Sequence, residues 1–121
     1  GAHNEPAINN LLETVNIYYP KKNKVYIVSI LARKDYKSML KNLAKDENAI
    51  FILTSGNQAD KFISGNELYD CMKEYVNKDK IFKKELKTAI NDALKDDDNN
   101  KIFLVVGSFY TYGTVMEIID K

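Results

Sequence analysis

Three runs of apolar, β-branched residues, at 24–31, 49–54 and 101–106, alternate with stretches whose apolar positions recur at helical spacing. That alternation predicts an α/β fold, a Rossmann-like and mostly parallel sheet with helices on both faces. Strands covered on both sides read as near-continuous apolar runs, and parallel neighbours need helical crossovers. A length of 121 residues and 45% hydrophobic content point to one folded domain, residues 1–121, with a single core.

Residues 5–19 carry Ile8, Leu11, Leu12, Val15 and Tyr18 at helical spacing, with Asn4 able to cap the start and Pro6 tolerated in the first turn. Pro20-Lys21-Lys22-Asn23 ends this helix, and the strand 24–31 follows. Asp35 is placed to cap a second helix with the stripe Tyr36, Met39, Leu40, Leu43 and Ala44, before the strand 49–54. Ser55-Gly56-Asn57-Gln58 is turn chemistry, and Ser64-Gly65-Asn66-Glu67 has capping-box spacing at the head of a helix through Leu68, Cys71, Met72, Tyr75 and Val76. Lys80-Ile81-Phe82 reads as a short strand or bridge. Leu86, Ala89, Ile90, Ala93 and Leu94 mark a fourth helix that runs out in the acidic stretch 96–100. The strand 101–106 ends at Gly107-Ser108-Phe109-Tyr110 and leads into an expected last helix carrying Val115, Ile118 and Ile119.

Lys+Arg 18 against Asp+Glu 17 leaves a net charge of +1, which implies no general attraction to nucleic acid or to an anionic membrane. The single cysteine, Cys71, excludes an internal disulfide, fits a reducing compartment and sits in an apolar stripe as a core residue. No apolar run approaches the roughly 20 residues that span a bilayer, and no signal peptide is evident, so a cytoplasmic location is expected. Asp96-Asp97-Asp98-Asn99-Asn100 fails as a calcium loop, because the sixth and twelfth positions counted from Asp96 are Lys101 and Gly107; a solvated loop fits better. Gly107-Ser108-Phe109-Tyr110 lacks the spacing of a hydrolase elbow, and no dinucleotide fingerprint or Walker loop occurs.

In parallel sheets ligands bind at the carboxyl ends of the strands. That rule singles out residues 32–35, 54–61, 107–112 and the opening tetrad. Arg33, Lys34 and Lys61 fall just past strand ends, where they are either anion-binding cations or surface charges; Ser108 reads as an anion-binding hydroxyl or a helix cap. His3, the one histidine, cannot make a metal site alone.

The motifs Gly1-Ala2-His3-Asn4-Glu5-Pro6, Ala32-Arg33-Lys34-Asp35-Tyr36 and Gly107-Ser108-Phe109-Tyr110 occur in order along essentially the whole chain. In this the sequence resembles the C-terminal domain of folylpolyglutamate synthase and dihydrofolate synthase, in the Mur ligase superfamily. In that family the domain begins with a strand running into Asp-Gly-Ala-His-Asn-Pro, carries a Lys-Asp-Lys-Asp-like turn after its next strand, and ends in Gly-Ser-(Phe/Leu)-Tyr. The chain departs from the pattern at Ala32 and Arg33, at the inserted Glu5, and near Asn57, where Asp60-Lys61 stands in place of a frequent arginine.

The resemblance implies ATP-dependent addition of L-glutamate to a folate through an acyl phosphate, in an enzyme that is a folylpolyglutamate synthase, with or without dihydrofolate synthase activity. ATP and magnesium would be bound mainly by an N-terminal domain, so the fragment alone is expected to be inactive. His3 would lie near the nucleotide phosphates and the incoming glutamate, with Asn4 supporting the turn. Lys34, Ser108 and Tyr110 would hold the glutamate carboxylates, and Lys61 would stand in for the arginine. The family's first strand is expected upstream of Gly1. Its absence predicts an apolar groove or a self-association contact beside the strand 24–31 or the strand 101–106. The alternative is a stand-alone α/β module that binds an acidic metabolite without catalysis.

Overall fold

The computed structural model describes residues 4–32, 35–55, 61–110 and 113–120, with backbone alone for 4–8, 108–110 and 113–120. Helix α1 (Asn4–Tyr18), with Pro6 in its first turn, leads into β1 (Asn23–Ser29), α2 (Tyr36–Leu43), β2 (Ala49–Leu53) and α3 (Gly65–Met72). A 3-10 turn (Lys78–Lys80), β3 (Ile81–Lys83), α4 (Leu86–Lys95), β4 (Lys101–Tyr110) and β5 (Gly113–Asp120) complete the order. Two starts that the sequence marks are made as expected. Asp35 Oδ1 accepts from Ser38 N at 3.2 Å to cap α2, and Ser64 Oγ accepts from Glu67 N at 3.1 Å to cap α3.

The sheet runs β3-β2-β1-β4-β5. Its first four strands are parallel and β5 is antiparallel to β4. Alternation along each strand divides the core in two. Tyr26, Val28, Phe51, Leu53, Leu104 and Val106 face α1, α2 and α3, meeting Leu11, Val15, Met39, Leu40, Leu43, Leu68 and Met72. Val25, Ile27, Ile52, Phe103 and Val105 face α4 through Leu86, Ala89 and Ala93. A parallel sheet with helices on both faces is therefore present.

One expectation is corrected. Residues 113–120 form a strand, although Val115, Ile118 and Ile119 satisfy helical spacing. Four of those eight residues, Thr114, Val115, Ile118 and Ile119, are β-branched, and the edge of β4 accepts them from Ile102↔Asp120 to Tyr110↔Gly113. A long-range partner overrides a local period. Strands β1 and β4 are paired on both sides, β1 with β2 and β4, and β4 with β1 and β5, and an apolar groove lies beside them, lined by Val25, Ile50, Ile52, Ala89, Ala93 and Phe103. The outer strands are β3 and β5. Strand β3 has three residues, the last of them Lys83, and is flanked by Lys78, Lys80 and Lys84, and both brevity and lysine discourage pairing with another chain.

At the amino end of β1 lies a buried polar cluster. Lys24 Nζ meets Asp46 Oδ1 at 3.2 Å, with side chains only 2% and 7% exposed. Tyr26 OH donates to Asp46 Oδ2 at 2.7 Å, and Asn48 N donates to Oδ1 at 3.1 Å. Burial, and then the hydrogen bond and charge of Asp46, push the Tyr26 phenol far above its ordinary value. Unfolded tyrosine ionises near about pH 10. Because the folded value is raised, the contribution of Tyr26 to stability is fully present below that pH and is lost as pH rises beyond it. Urea midpoints should therefore fall more steeply between about pH 9 and about pH 11 for the parent chain than for Tyr26→Phe. Parallel curves for the two would contradict this account.

Candidate functional site

Because β1 to β4 are parallel, their carboxyl ends share one edge of the sheet. Ser29 at the end of β1 stands opposite Gly107 of β4, and Val28 opposite Leu53 of β2, which in turn stands opposite Lys83 of β3. Strand β4 then continues through Ser108 to Tyr110, past the end of β1 and paired only with β5. The corner carrying Ser108 and Tyr110 thus overhangs the edge as a β-ribbon. It does not head a helix: Ser108 sits in register with Thr114, so the helix N-terminus expected at this corner gives way to a strand ladder.

The segment after β2 is tied to the turn after β1. Ala32 N donates to Lys61 O at 2.9 Å, Ile63 N donates to Ile30 O at 2.8 Å, and Leu31 bridges Phe62. Lys61, with its side chain exposed, is therefore held beside Ala32, just after β1. Arg33, Lys34 and His3 lie outside the described residues, as do the side chains of Asn4, Ser108 and Tyr110. Asn4 is the first residue of α1, whose Leu11 and Val15 lie against the sheet and whose far end is joined to the amino end of β1 by a short link. At about 1.5 Å per residue the helix is about as long as β1, so its start turns back toward the carboxyl edge.

Asp35 closes this turn, and the hydrogen bonds from Ser38 hold its carboxyl below the usual range, so it is charged and committed to capping α2. Ser29 is fully buried on the α4 side of β1, and its Oγ has no hydrogen-bond partner among the described residues. Cys71 is half-buried against the main core; burial, with Glu74 nearby, pushes its thiol up, which suits packing and not nucleophilic attack. In the acidic stretch the carboxylates serve their own backbone: Asp96 Oδ1 accepts from Asp98 N, Asp98 Oδ1 accepts from Asn100 N, and Lys101 pairs with Asp96 at 3.0 Å. Among the described residues no group of three His, Cys, Asp or Glu side chains could hold a metal ion, and no helix is long and apolar enough to cross a membrane.

One feature of this edge escaped the sequence reading. A cavity of about 330 Å³ opens at the ends of β2 and β3, lined by Ser55, Ser64, Gly65, Asn66 and Lys83 among others. Gly65 is needed where α3 starts, because a Cβ there would stand 3.3 Å from Leu53 O while Gly65 N donates to Ser55 Oγ. The available signal was Lys83-Lys84 directly after a short strand.

Comparison with solved structures finds the same architecture. Mycobacterium tuberculosis folylpolyglutamate synthase complexed with ADP superposes with a TM-score of 0.61 at 17% identity, over 86% of this chain and 25% of that one. A bifunctional folylpolyglutamate synthase/dihydrofolate synthase with Mn, AMPPNP and L-glutamate bound gives 0.62 at 18% identity, over 86% and 23%. The chain thus spans about a quarter of the length of these relatives. A comparison with curated protein sequences finds no match. The sequence model described as "Dihydrofolate synthetase, C-terminal domain" matches residues 1–118, and the chain therefore belongs to the family of dihydrofolate synthetase C-terminal domains.

Proposed function

We propose that this chain is the C-terminal part of an ATP-dependent ligase of the folylpolyglutamate synthase and dihydrofolate synthase type. The observation that carries the reading is the family match across residues 1–118, on a sheet whose parallel strands β1, β2 and β4 end at one carboxyl edge. A stand-alone binding module is not favoured by a match of that extent. In the proposed reaction the γ-carboxylate of a folate takes the terminal phosphoryl group of ATP. The amine of L-glutamate then attacks the acyl phosphate, so that a C–N bond forms, inorganic phosphate leaves and the amine proton passes to solvent or base.

The role assigned to this chain is binding, orientation and exclusion of water. An acyl phosphate hydrolyses if water reaches it, and closure of a second domain over the reacting atoms prevents that loss. His3 would face the phosphates and the incoming amino acid from the start of α1, with Asn4 supporting the turn. Lys34 and Lys61 would offer cations to the glutamate carboxylates, and Ser108 and Tyr110 would donate hydrogen bonds from the overhanging ribbon. Magnesium, when bound, neutralises phosphate charge. The described residues do not form a site for it, and the reading assigns it, with most of the ATP contacts, to the N-terminal domain.

The test is kinetic. In the full-length ligase that carries this chain, Lys34→Met should raise KM for L-glutamate by about 10- to 100-fold, the worth of one charge-assisted hydrogen bond, with little change in KM for ATP. The 121-residue chain alone, given ATP, magnesium, tetrahydrofolate and L-glutamate, should show no turnover. An unchanged KM for glutamate would overturn the assignment of Lys34, and turnover by the chain alone would overturn the division of labour between domains.

A further inference from the structure

We propose that the cavity between the ends of β2 and β3 and the start of α3 is a binding subsite for a single carboxylate, one carried by the γ-linked glutamyl chain of a polyglutamylated substrate. The identity of the substrate rests on the function proposed above. The carboxylate subsite itself rests on the lining of the cavity.

Three polar side chains there each accept one hydrogen bond from the protein, which orients the oxygen and leaves its donors unused. Ser55 Oγ accepts from Gly65 N at 2.8 Å, Ser64 Oγ accepts from Glu67 N at 3.1 Å, and Asn66 Oδ1 accepts from Lys83 Nζ at 3.0 Å. Donors that no protein group among the described residues takes up therefore line the cavity: two hydroxyl protons and the Asn66 amide hydrogens, beside the remaining ammonium protons of Lys83. The backbone N–H groups of Gly65 and Glu67 are already consumed, so the helix end adds little.

The charges of the lining select among anions. Lys84 is neutralised by Asp92 at 3.0 Å. Lys83 is held only by neutral groups, the Asn66 amide and the face of the Tyr69 ring at 4.9 Å from its centroid, with no carboxylate in ion-pair range among the described residues. Glu85, which is exposed, is the one carboxylate of the lining among the described residues. One uncommitted cation opposed by one carboxylate suits a monoanion with two acceptor oxygens, and disfavours a phosphate dianion. A cavity of about 330 Å³ has room for a glutamyl side chain.

The experiment is a titration of the ¹⁵N-labelled 121-residue chain in low-salt buffer with γ-linked triglutamate, and separately with inorganic phosphate. Saturable shifts of the Ser55, Gly65 and Asn66 amides are expected with triglutamate. Lys83→Gln should weaken the binding about tenfold or more, and Lys84→Gln less than about threefold. Both lysines are exposed, and an otherwise unchanged spectrum establishes that each variant is folded. Absence of saturable shifts, equal effects of the two substitutions, or phosphate binding as tightly as triglutamate would each overturn the proposal. The assay needs no ATP and no turnover. A ligase reading that fails in the kinetic test therefore leaves the carboxylate subsite standing or falling on this result, and a failed titration leaves the ligase reading intact.

Discussion

Asp46→Ala is expected to destabilise the fold by about 3–5 kcal/mol, because it strands a buried ammonium. Lys24 is 2% exposed, lies at the start of a central strand and, among the described residues, forms its ion pair with Asp46. The carboxylate also accepts the Tyr26 hydroxyl and the Asn48 amide, so alanine removes an ion pair and two hydrogen bonds together. The cluster links β1 to the turn before β2, a contact between residues 20 or more positions apart that no local propensity replaces. Removing both charges should cost less than removing one: Lys24→Met with Asp46→Asn keeps an acceptor for Tyr26 and leaves no buried charge. Urea unfolding of the two single variants and the double variant measures the coupling. Losses that simply add would show that the pair is not a unit.

Phe51→Ala should cost about 3–5 kcal/mol through the cavity it leaves in the centre of the sheet. Phe51 is fully buried on β2 and stacks on Tyr26, with ring centroids 5.5 Å apart and planes 12° from parallel. Strand β2 is paired on both sides, with β1 and β3, and cannot collapse freely into the space. Phe82→Ala is the matched comparison, on outer strand β3 and 43% exposed, where the loss should stay below about 1 kcal/mol. Denaturant midpoints with unchanged slopes give the two values. Comparable losses would mean that burial is not what distinguishes the two rings. Phe51 shares Tyr26 with the Asp46 cluster, so Phe51→Ala and Asp46→Ala should also fail to add.

These two residues mark the limit of what local sequence carries. The strands β1, β2 and β4 were legible because a strand covered on both faces must be apolar at every position, and Val25 to Val28 or Ile102 to Val106 can hardly be anything else. The caps at Asp35 and Ser64 were legible because a side-chain oxygen before an apolar stripe has one local use. Strand β5 was not, since Val115, Ile118 and Ile119 fit a helical face and only the edge of β4 decides otherwise. Nor was Lys24, which begins an apolar run as a surface lysine would, while its partner lies beyond a helix. At the rim, the turn after β1, Lys61 and Gly107 were placed together by the rule that ligands gather at carboxyl ends. The cavity at Lys83 was missed because its character depends on which oxygens are already accepting, a property of the assembled fold.

The outer strand fringed with ammonium groups is guarded by charge as much as by brevity, so the protection belongs to the solvent as well as to the chain. Dissolved ions confine such a field to about 8 Å at physiological strength and to about 3 Å in molar salt. In concentrated brine the sentries are muffled while the stripped hydrogen-bonding groups of β3 stay as they were. A sample that remains dispersed in dilute buffer would then meet its first aggregation hazard along this side of the molecule.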